Sequence, residues 1–321
     1  MTARLPRPAR DVLERGTLCH LAVSTSWGPH LTPVVYALDG GRIWLTTSRT
    51  SVKSRALRRN REVAGMIRVE GEAVTFRGLA RTYDALDPLS WPYAAVAGPR
   101  LVRAATRFSV KNARFFAGYA VDARRVPFAW TPPGRVFVGI EVAWGALLDL
   151  AGRRVTGAWG LGPPEAGGAD EDPVALTLPD EATPAGRRAR RGLDLRAPRP
   201  VRSALGNTGE GALALERDAS TVVPVRWRRV AREGVYEAVV PLSFLGLTGP
   251  RVAGRGEPEP GPRAALEIDR LARWRAAEMT GMLLQGEAGL ASVEAGDAVV
   301  RLRPRRVVWW QGWSTGAASE R

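Results

Sequence analysis

Two small antiparallel β-barrels in tandem, mainly β with a few helices, are the fold this sequence predicts. Three observations carry that expectation. Short alternating strand patterns recur at regular spacing from Thr17 to Tyr83, separated by Gly-bearing turns. At 321 residues the chain is long enough for two domains, each with its own core. The order of patterns in the first half then returns from Gly211 onward.

The first copy reads as follows. Residues 8–15 form a short helix with Gly16 as its stop. Thr17–Ser24 alternates as a strand, and Ser26-Trp27-Gly28-Pro29 is a turn. His30–Tyr36 and Arg42–Ser48 are the arms of a hairpin around Leu38-Asp39-Gly40-Gly41. Val52–Asn60 is a short helix, and Val63–Val69 with Ala73–Tyr83 is a second hairpin around Glu70-Gly71-Glu72. Pro88–Asp122 is the longest helical stretch, interrupted near Gly98-Pro99. Its Leu101, Val102, Ala105, Phe108, Phe115, Phe116 and Tyr119 make a stripe of helical period expected to pack under the barrel. Val136–Val142 returns to strand, and Ala143-Trp144-Gly145 closes the unit.

The expected domains are therefore 1–150, a flexible basic and Pro/Gly-bearing linker over 151–208 with one short strand at Val174–Leu178, and a second, degenerate barrel over 209–321. In that second copy Leu213-Ala214-Leu215 matches Leu21-Ala22-Val23, and Val223-Pro224-Val225-Arg226-Trp227 matches Thr32–Tyr36. Val235–Val239 matches Ile43–Thr47, Ala264–Ile268 matches Ala64–Ile67, and Gly281–Ala288 matches Val74–Ala80. The stretch Arg306–Gly312 is set against Val142-Ala143-Trp144-Gly145.

Charge narrows the partners. Lys+Arg total 47 against 32 Asp+Glu, a formal net charge of +15. The arginines are spread along the whole chain, so a nucleic acid is not expected as the main partner, whereas an anionic cofactor or small molecule suits the same field. No run of about 18 apolar residues occurs, so no membrane span is expected, and the N-terminal stretch has no apolar segment of a signal peptide. The single cysteine, Cys19, fits a cytoplasmic location. With only His20 and His30 beside it, a Cys/His zinc site is not expected, and Cys19 and His20 read as packing residues.

Chemistry concentrates where the third strand pattern ends. Thr46, Thr47, Ser48, Thr50 and Ser51, with Arg49 and Lys53 among them, open the helix at Val52. Hydroxyls and helix N–H groups donate hydrogen bonds and the helix dipole favours negative charge, which makes this a candidate phosphate site. Lys53 and Lys111 are the only lysines of an arginine-biased chain, and lysine is a compact point charge suited to phosphate. The same residues also fit an ordinary solvated helix face. No Ser/His/Asp order, HExxH, Walker sequence or strand-to-helix GxGxxG is present.

Leu21-Ala22-Val23, Gly28-Pro-His-Leu-Thr-Pro-Val34, Thr46-Thr-Ser48 and Ser51-Val-Lys53-Ser-Arg55-Ala-Leu57-Arg-Arg-Asn60 resemble the pyridoxamine 5'-phosphate oxidase-like split-barrel family over about residues 8–84. The resemblance implies split barrels that bind FMN, deazaflavin F420 or, in some branches, haem, with cofactors held across a pair of barrels. It assigns the cofactor phosphate to Thr46, Thr47, Ser48, Ser51 and Lys53, and places His30, Thr32 and Pro33 on the strand beside the cofactor. A tandem chain then builds the pair within itself, as an intramolecular pseudo-dimer that leaves a further oligomer open. The second copy has Val240–Gly249 where the first has its phosphate cluster, and no lysine, so one competent site is expected, with the other vestigial.

Arg226, Trp274, Arg275, Trp309, Trp310 and Gln311 are the residues expected to supply the second barrel's part of the wall. The terminal Trp310-Gln311-Gly312 resembles a Trp-Gln-Gly near FMN in the oxidases and favours FMN. Ser314–Arg321 lacks the oxidases' substrate-gripping Arg-x-His, which sets pyridoxamine phosphate aside as substrate. The expected function is thus an FMN-dependent oxidoreductase acting on an unidentified small molecule. The alternatives are an F420-dependent reductase, a flavin- or haem-binding protein without turnover, and nucleic-acid binding through the arginine-rich segment.

Overall fold

The computed structural model describes residues 5–84, 86–87, 91–121, 134–160, 192–216, 220–230, 234–248, 263–271 and 274–320. Helix α1 (Arg7–Arg15) starts with a proline in its first turn, buries Ala9, Val12 and Leu13, and ends at Gly16. Strands β1 (Leu18–Thr25), β2 (Gly28–Asp39) and β3 (Arg42–Ser48) follow. Gly40 and Gly41 both take positive φ between Asp39 and Arg42, as a two-residue turn between right-twisted strands requires. Helix α2 (Val52–Arg59) leads to β4 (Glu62–Val69) and β5 (Glu72–Tyr83). Helices α3 (Trp91–Lys111) and α4 (Ala113–Val121) precede β6 (Arg135–Asp149) and β7 (Arg154–Gly160). The sheet order is β3-β2-β1-β4-β5-β6-β7, and the additional β3–β6 pairing closes six strands into a barrel with β7 outside.

The second half repeats this plan. Helix α5 (Arg199–Leu205) is followed by β8 (Thr208–Glu216), β9 (Ser220–Val230), β10 (Val235–Pro241), α6 (Leu242–Leu245), β11 (Arg263–Leu271), β12 (Met279–Glu294), β13 (Asp297–Gln311) and β14 (Ser314–Ser319). The order β10-β9-β8-β11-β12-β13-β14 closes through β10–β13. The ladders fix which residues correspond: Tyr36–Leu45–Val138 in the first barrel is Trp227–Ala238–Val300 in the second. Even the bulges coincide, at Arg77/Gly78 and Gln285/Gly286. A Cβ on either glycine would collide with a backbone carbonyl, of Glu141 or Arg303, of the neighbouring strand, so only glycine lets the strands approach there.

Each barrel has an apolar filling. Leu13, Leu21, Tyr36, Leu45, Ile67, Phe76 and Ile140 are among the residues that fill the first. The second barrel's cluster runs on without a break into Ala22, Leu31, Ala64, Met66 and Ala146 on the outside of the first, so the barrels share one buried seam. Across it β2 packs on β8, β11 and β12, while its counterpart β9 packs on β1, β4 and β5. That exchange of equivalent strands is the arrangement a two-fold axis produces between identical subunits. The chain is a pseudo-dimer of its own two halves.

Several sequence expectations change. Helix α3 runs through Gly98-Pro99 without interruption, because Pro99 sits on the exposed side, where the carbonyl it leaves unbonded can face water. The break comes at Asn112, which is fully buried and donates its Nδ2 to the carbonyl oxygens of Tyr36, at 3.2 Å, and Phe108, at 2.9 Å. Val102 leaves the expected apolar stripe and is 68% exposed. The segment expected as a linker contains β7 and α5 in its described parts, and α5 packs on β11, β12 and β13. Pro198-Arg199-Pro200 repeats Pro6-Arg7-Pro8, so the second copy opens with its own α1-like helix. The strand expected at Val174–Leu178 lies outside the described residues. Two of the expected matches are shifted: on β10 the counterpart of Ile43 is Tyr236, one residue later than Val235, and at the C-terminus the counterpart of Trp144 is Arg306, while Trp309 and Trp310 correspond to Leu147 and Leu148.

Candidate functional site

Strand β3 delivers its hydroxyls to both of its faces. Thr47 follows Leu45 inward and is buried, while Thr46 and Ser48 alternate outward. Thr47 Oγ1 lies 3.0 Å from Ser51 Oγ, which accepts the backbone N–H of Ser54 at 3.0 Å and so caps α2. On the outer face the Arg135 guanidinium donates to Thr46 Oγ1 at 2.9 Å and to the Thr46 carbonyl at 2.8 Å. Arg135 enters because β6 pairs with β3 so that it stands opposite Ser48. Ser48 Oγ and Thr50 Oγ1 are 3.3 Å apart. Arg49 is not part of the free positive charge, since it pairs with buried Asp84.

The first turn of α2 aims Lys53 at β2, where its Nζ donates to Thr32 Oγ1 at 2.7 Å. Among the described residues this ammonium forms no ion pair. Burial, and then the neighbouring Arg135, press its pKa down from 10.5 to about 8. His30, two residues before Thr32 on the same strand face, is 8% exposed, and its ring has no hydrogen-bond partner among the described residues. Burial, Lys53 and Arg306 hold its pKa down at about 3, so the ring is neutral at ordinary pH. The next residue but two along β2, Pro33, is buried opposite His20 in the seam. Lys53 and Arg135 therefore set a positive potential around a hydroxyl-lined helix start, and Lys53 and Arg306 set one around His30.

The structure thus brings Thr32, Thr46, Thr47, Ser51 and Lys53 together, with His30 beside them. It adds Arg135 and Arg306, which the sequence reading missed: both come from strands distant in sequence, and no local pattern marks them. Arg306 also stacks over Trp27, its guanidinium carbon 5.6 Å from the ring centroid.

The residues expected from the second barrel make other contacts. Arg226 does not join Lys53; it lines a cavity of about 280 Å³ with Arg68, Pro224, Val239, Phe244 and Asp297. This cavity is the counterpart of the phosphate cluster. Val239 stands for Thr46, Pro241 for Ser48 and Asp297 for Arg135, because Pro241 pairs with Asp297 as Ser48 pairs with Arg135. Hydroxyls have become apolar groups and a cation has become an anion, so the second position keeps a hollow, lined by Arg68, Arg153 and Arg226, without the hydroxyl cluster of the first. Trp309 and Trp310 point to opposite sides of β13 and pack over Gly316 and Gly281 of its neighbouring strands. Gln311 is exposed at the strand's end. No hydrogen bond or ring contact among the described residues ties these three to Lys53. Trp274 instead packs at a tilt against Phe115 of α4, centroids 5.2 Å apart, and helps to dock α3 and α4 across the seam.

His20 is not simply a packing residue. Its Nδ1 lies 2.7 Å from Oε2 of Glu267 on the facing barrel. No helix among the described residues is long and apolar enough to cross a membrane.

With this geometry in view, residues 7–87 match the family model described as pyridoxamine 5'-phosphate oxidase. Among solved structures the chain is similar to an F420 reductase, at 19% identity and a TM-score of 0.29, covering 44% of this chain and 98% of that one. It is similar to a pyridoxamine 5'-phosphate oxidase-related, FMN-binding protein of Nostoc punctiforme, at 15% identity and a TM-score of 0.36, covering 47% and 88%. A conserved hypothetical protein of Mycobacterium tuberculosis matches at 21% identity and a TM-score of 0.32, covering 53% and 97%. No curated protein matches the chain.

Proposed function

Since the chain belongs, through its first barrel, to the pyridoxamine 5'-phosphate oxidase-like split-barrel family, we propose that it is an FMN-dependent oxidoreductase acting on a small molecule other than pyridoxamine phosphate. The observation that carries this reading is Lys53. Its ammonium is part-buried, bonded to a hydroxyl and, among the described residues, to no carboxylate, and set near Arg135 at the capped start of α2. An unpaired cation in such a place calls for an anion, and a phosphate monoester suits the hydroxyls around it.

When bound, the flavin ring supplies the hydride and electron transfer. The chain's own residues bind, orient and exclude water. Lys53, Ser51, Thr46, Ser48 and Arg135 hold the phosphate. His30, kept neutral, offers a ring nitrogen of fixed protonation beside the site, able to donate or accept one hydrogen bond without titrating. The α3–α4 pair and the second barrel's Trp274 close the seam to solvent over the outer face of β2. Arg-x-His is lacking after Trp310-Gln311-Gly312, so substrate choice rests on other residues.

The visible spectrum of the purified protein, followed by mass analysis of what heat releases, tests the proposal. A flavin spectrum near one FMN per chain supports it. A deazaflavin or haem spectrum replaces the cofactor, and a colourless protein that takes up none of the three when they are added defeats it.

A further inference from the structure

The seam holds one group of side chains that the proposed cofactor site leaves unused. His20 on β1 and Glu267 and Asp269 on β11 each present a possible ligand atom, and these atoms lie within 4.8 Å of one another. Glu267 and Asp269 are two apart on a strand and share its face. His20 is 7% and Glu267 0% exposed, enclosed by sheets of both barrels. One oxygen of Glu267 meets His20 Nδ1 at 2.7 Å, whereas the other, Oε1, is buried without a donor among the described residues. Two carboxylates side by side, that of Glu267 closed in the seam and that of Asp269 at its partly exposed edge, repel one another, and the buried one is poorly solvated. The nearest countercharges are engaged in part elsewhere: Arg68 pairs with Glu210 at 2.8 Å, and Lys53 donates to Thr32.

The two-fold relation makes the group conspicuous. The counterparts of His20 and Glu267 are Ala212 and Met66, as the ladders show: His20 pairs with Met66 exactly where Ala212 pairs with Glu267. Both counterparts are fully buried and apolar. The fold can therefore close this place with a methyl group and a thioether, and nothing in the packing demands a glutamate there.

We propose that His20, Glu267 and Asp269 form a binding site for one divalent first-row metal ion, zinc fitting best, that joins the two barrels. One imidazole nitrogen and two carboxylate oxygens suit zinc, and the two carboxylates balance its charge. Bonds of about 2.1 Å in a tetrahedral arrangement require ligand atoms roughly 3.4 Å apart. The present separations, from 2.7 Å to at most 4.8 Å, bracket that value and need only side-chain rotation. Water takes the fourth position.

The test uses the full chain, treated with chelator and titrated calorimetrically with zinc chloride alone. The wild type should take up one ion per chain. Glu267→Gln, an isosteric change, and Asp269→Asn, at a partly exposed position that leaves the seam filled, should each lower the affinity at least tenfold. Lys53→Ala should keep the one-to-one uptake, which separates this site from the phosphate site. Absence of uptake by the wild type, equal uptake by both carboxylate variants, or loss in Lys53→Ala would overturn the proposal and leave His20 and Glu267 as a buried hydrogen-bonded pair.

Discussion

Lys53 is the residue on which the proposed chemistry turns, and its energetics can be tested directly. Removing a charged contact to a phosphate costs about 2 kcal/mol, so Lys53→Ala should weaken FMN binding about 30-fold in a fluorescence titration. Unchanged affinity would place the phosphate elsewhere. The same residue sets a pH dependence. Its folded pKa of about 8 lies below the ordinary 10.5, so the folded chain gives up this proton first. The penalty for holding the ammonium is present below about pH 8 and relieved as pH rises towards 10.5. Bound phosphate favours the ammonium, so affinity for FMN should fall as pH is raised through about 8. His30 is already neutral and should contribute no step near pH 6.5, its ordinary value. The hydroxyls and Lys53 were legible in the sequence because they are contiguous and the helix start gives their spacing a reason. Arg135 and Arg306 were not, since strand pairing alone brings them near.

At the scale of elements, α2 owes its start to Ser51. Ser51→Ala should cost about 1 kcal/mol of stability by loss of the cap and also weaken the phosphate site, as chemical denaturation and FMN titration would show. The paired bulges make a sharper demand. Gly286→Val would drive a side chain into the backbone of β13 and should lower stability by about 3 kcal/mol or more, whereas Gly157→Val, on β7 where a Cβ meets nothing within 4 Å, should be milder. Strands β1 to β5, their hairpins and the order they share with the second copy could be read beforehand, because alternation and Gly-bearing turns are local signals, whereas the outer strands β7 and β14 were not. Helix α5 was hidden by its basic, proline-bearing composition, which looks like linker until Pro198-Arg199-Pro200 is seen to repeat Pro6-Arg7-Pro8. The match of Trp309 and Trp310 to Trp144 was misplaced because a tryptophan motif carries no register, and the β12–β13 ladder sets one.

For the whole molecule, the proposed function requires the barrels to stay paired. Val222 on β9 is fully buried in the seam, and its carbonyl accepts a hydrogen bond from Thr75 of the other barrel at 2.6 Å. Val222→Asp places an unpaired carboxylate there and should destabilise the chain by about 3 kcal/mol or more, visible as a lowered denaturant midpoint. FMN binding should drop with it, although no phosphate-holding residue is touched. Intact binding in that variant would mean that the first barrel suffices. The erosion of the second position, with Val239, Pro241 and Asp297 for Thr46, Ser48 and Arg135, predicts one cofactor per chain even at saturating FMN; two would show that the altered hollow still binds.

By itself the sequence determined the repeated strand order, the turns that join the strands and the single hydroxyl-and-lysine cluster at a helix start. Each is written in neighbouring residues, whose periodicity, backbone preferences and capping act locally. Only the tertiary structure decided which faces form the one apolar seam between the paired copies, that Arg135 stands near Lys53 and Arg306 near His30, that Arg226 belongs to the altered position, and that His20 meets Glu267 and Asp269. Those outcomes depend on sheet closure and on which faces two barrels bury against each other, and contacts between residues far apart in the chain leave no local trace.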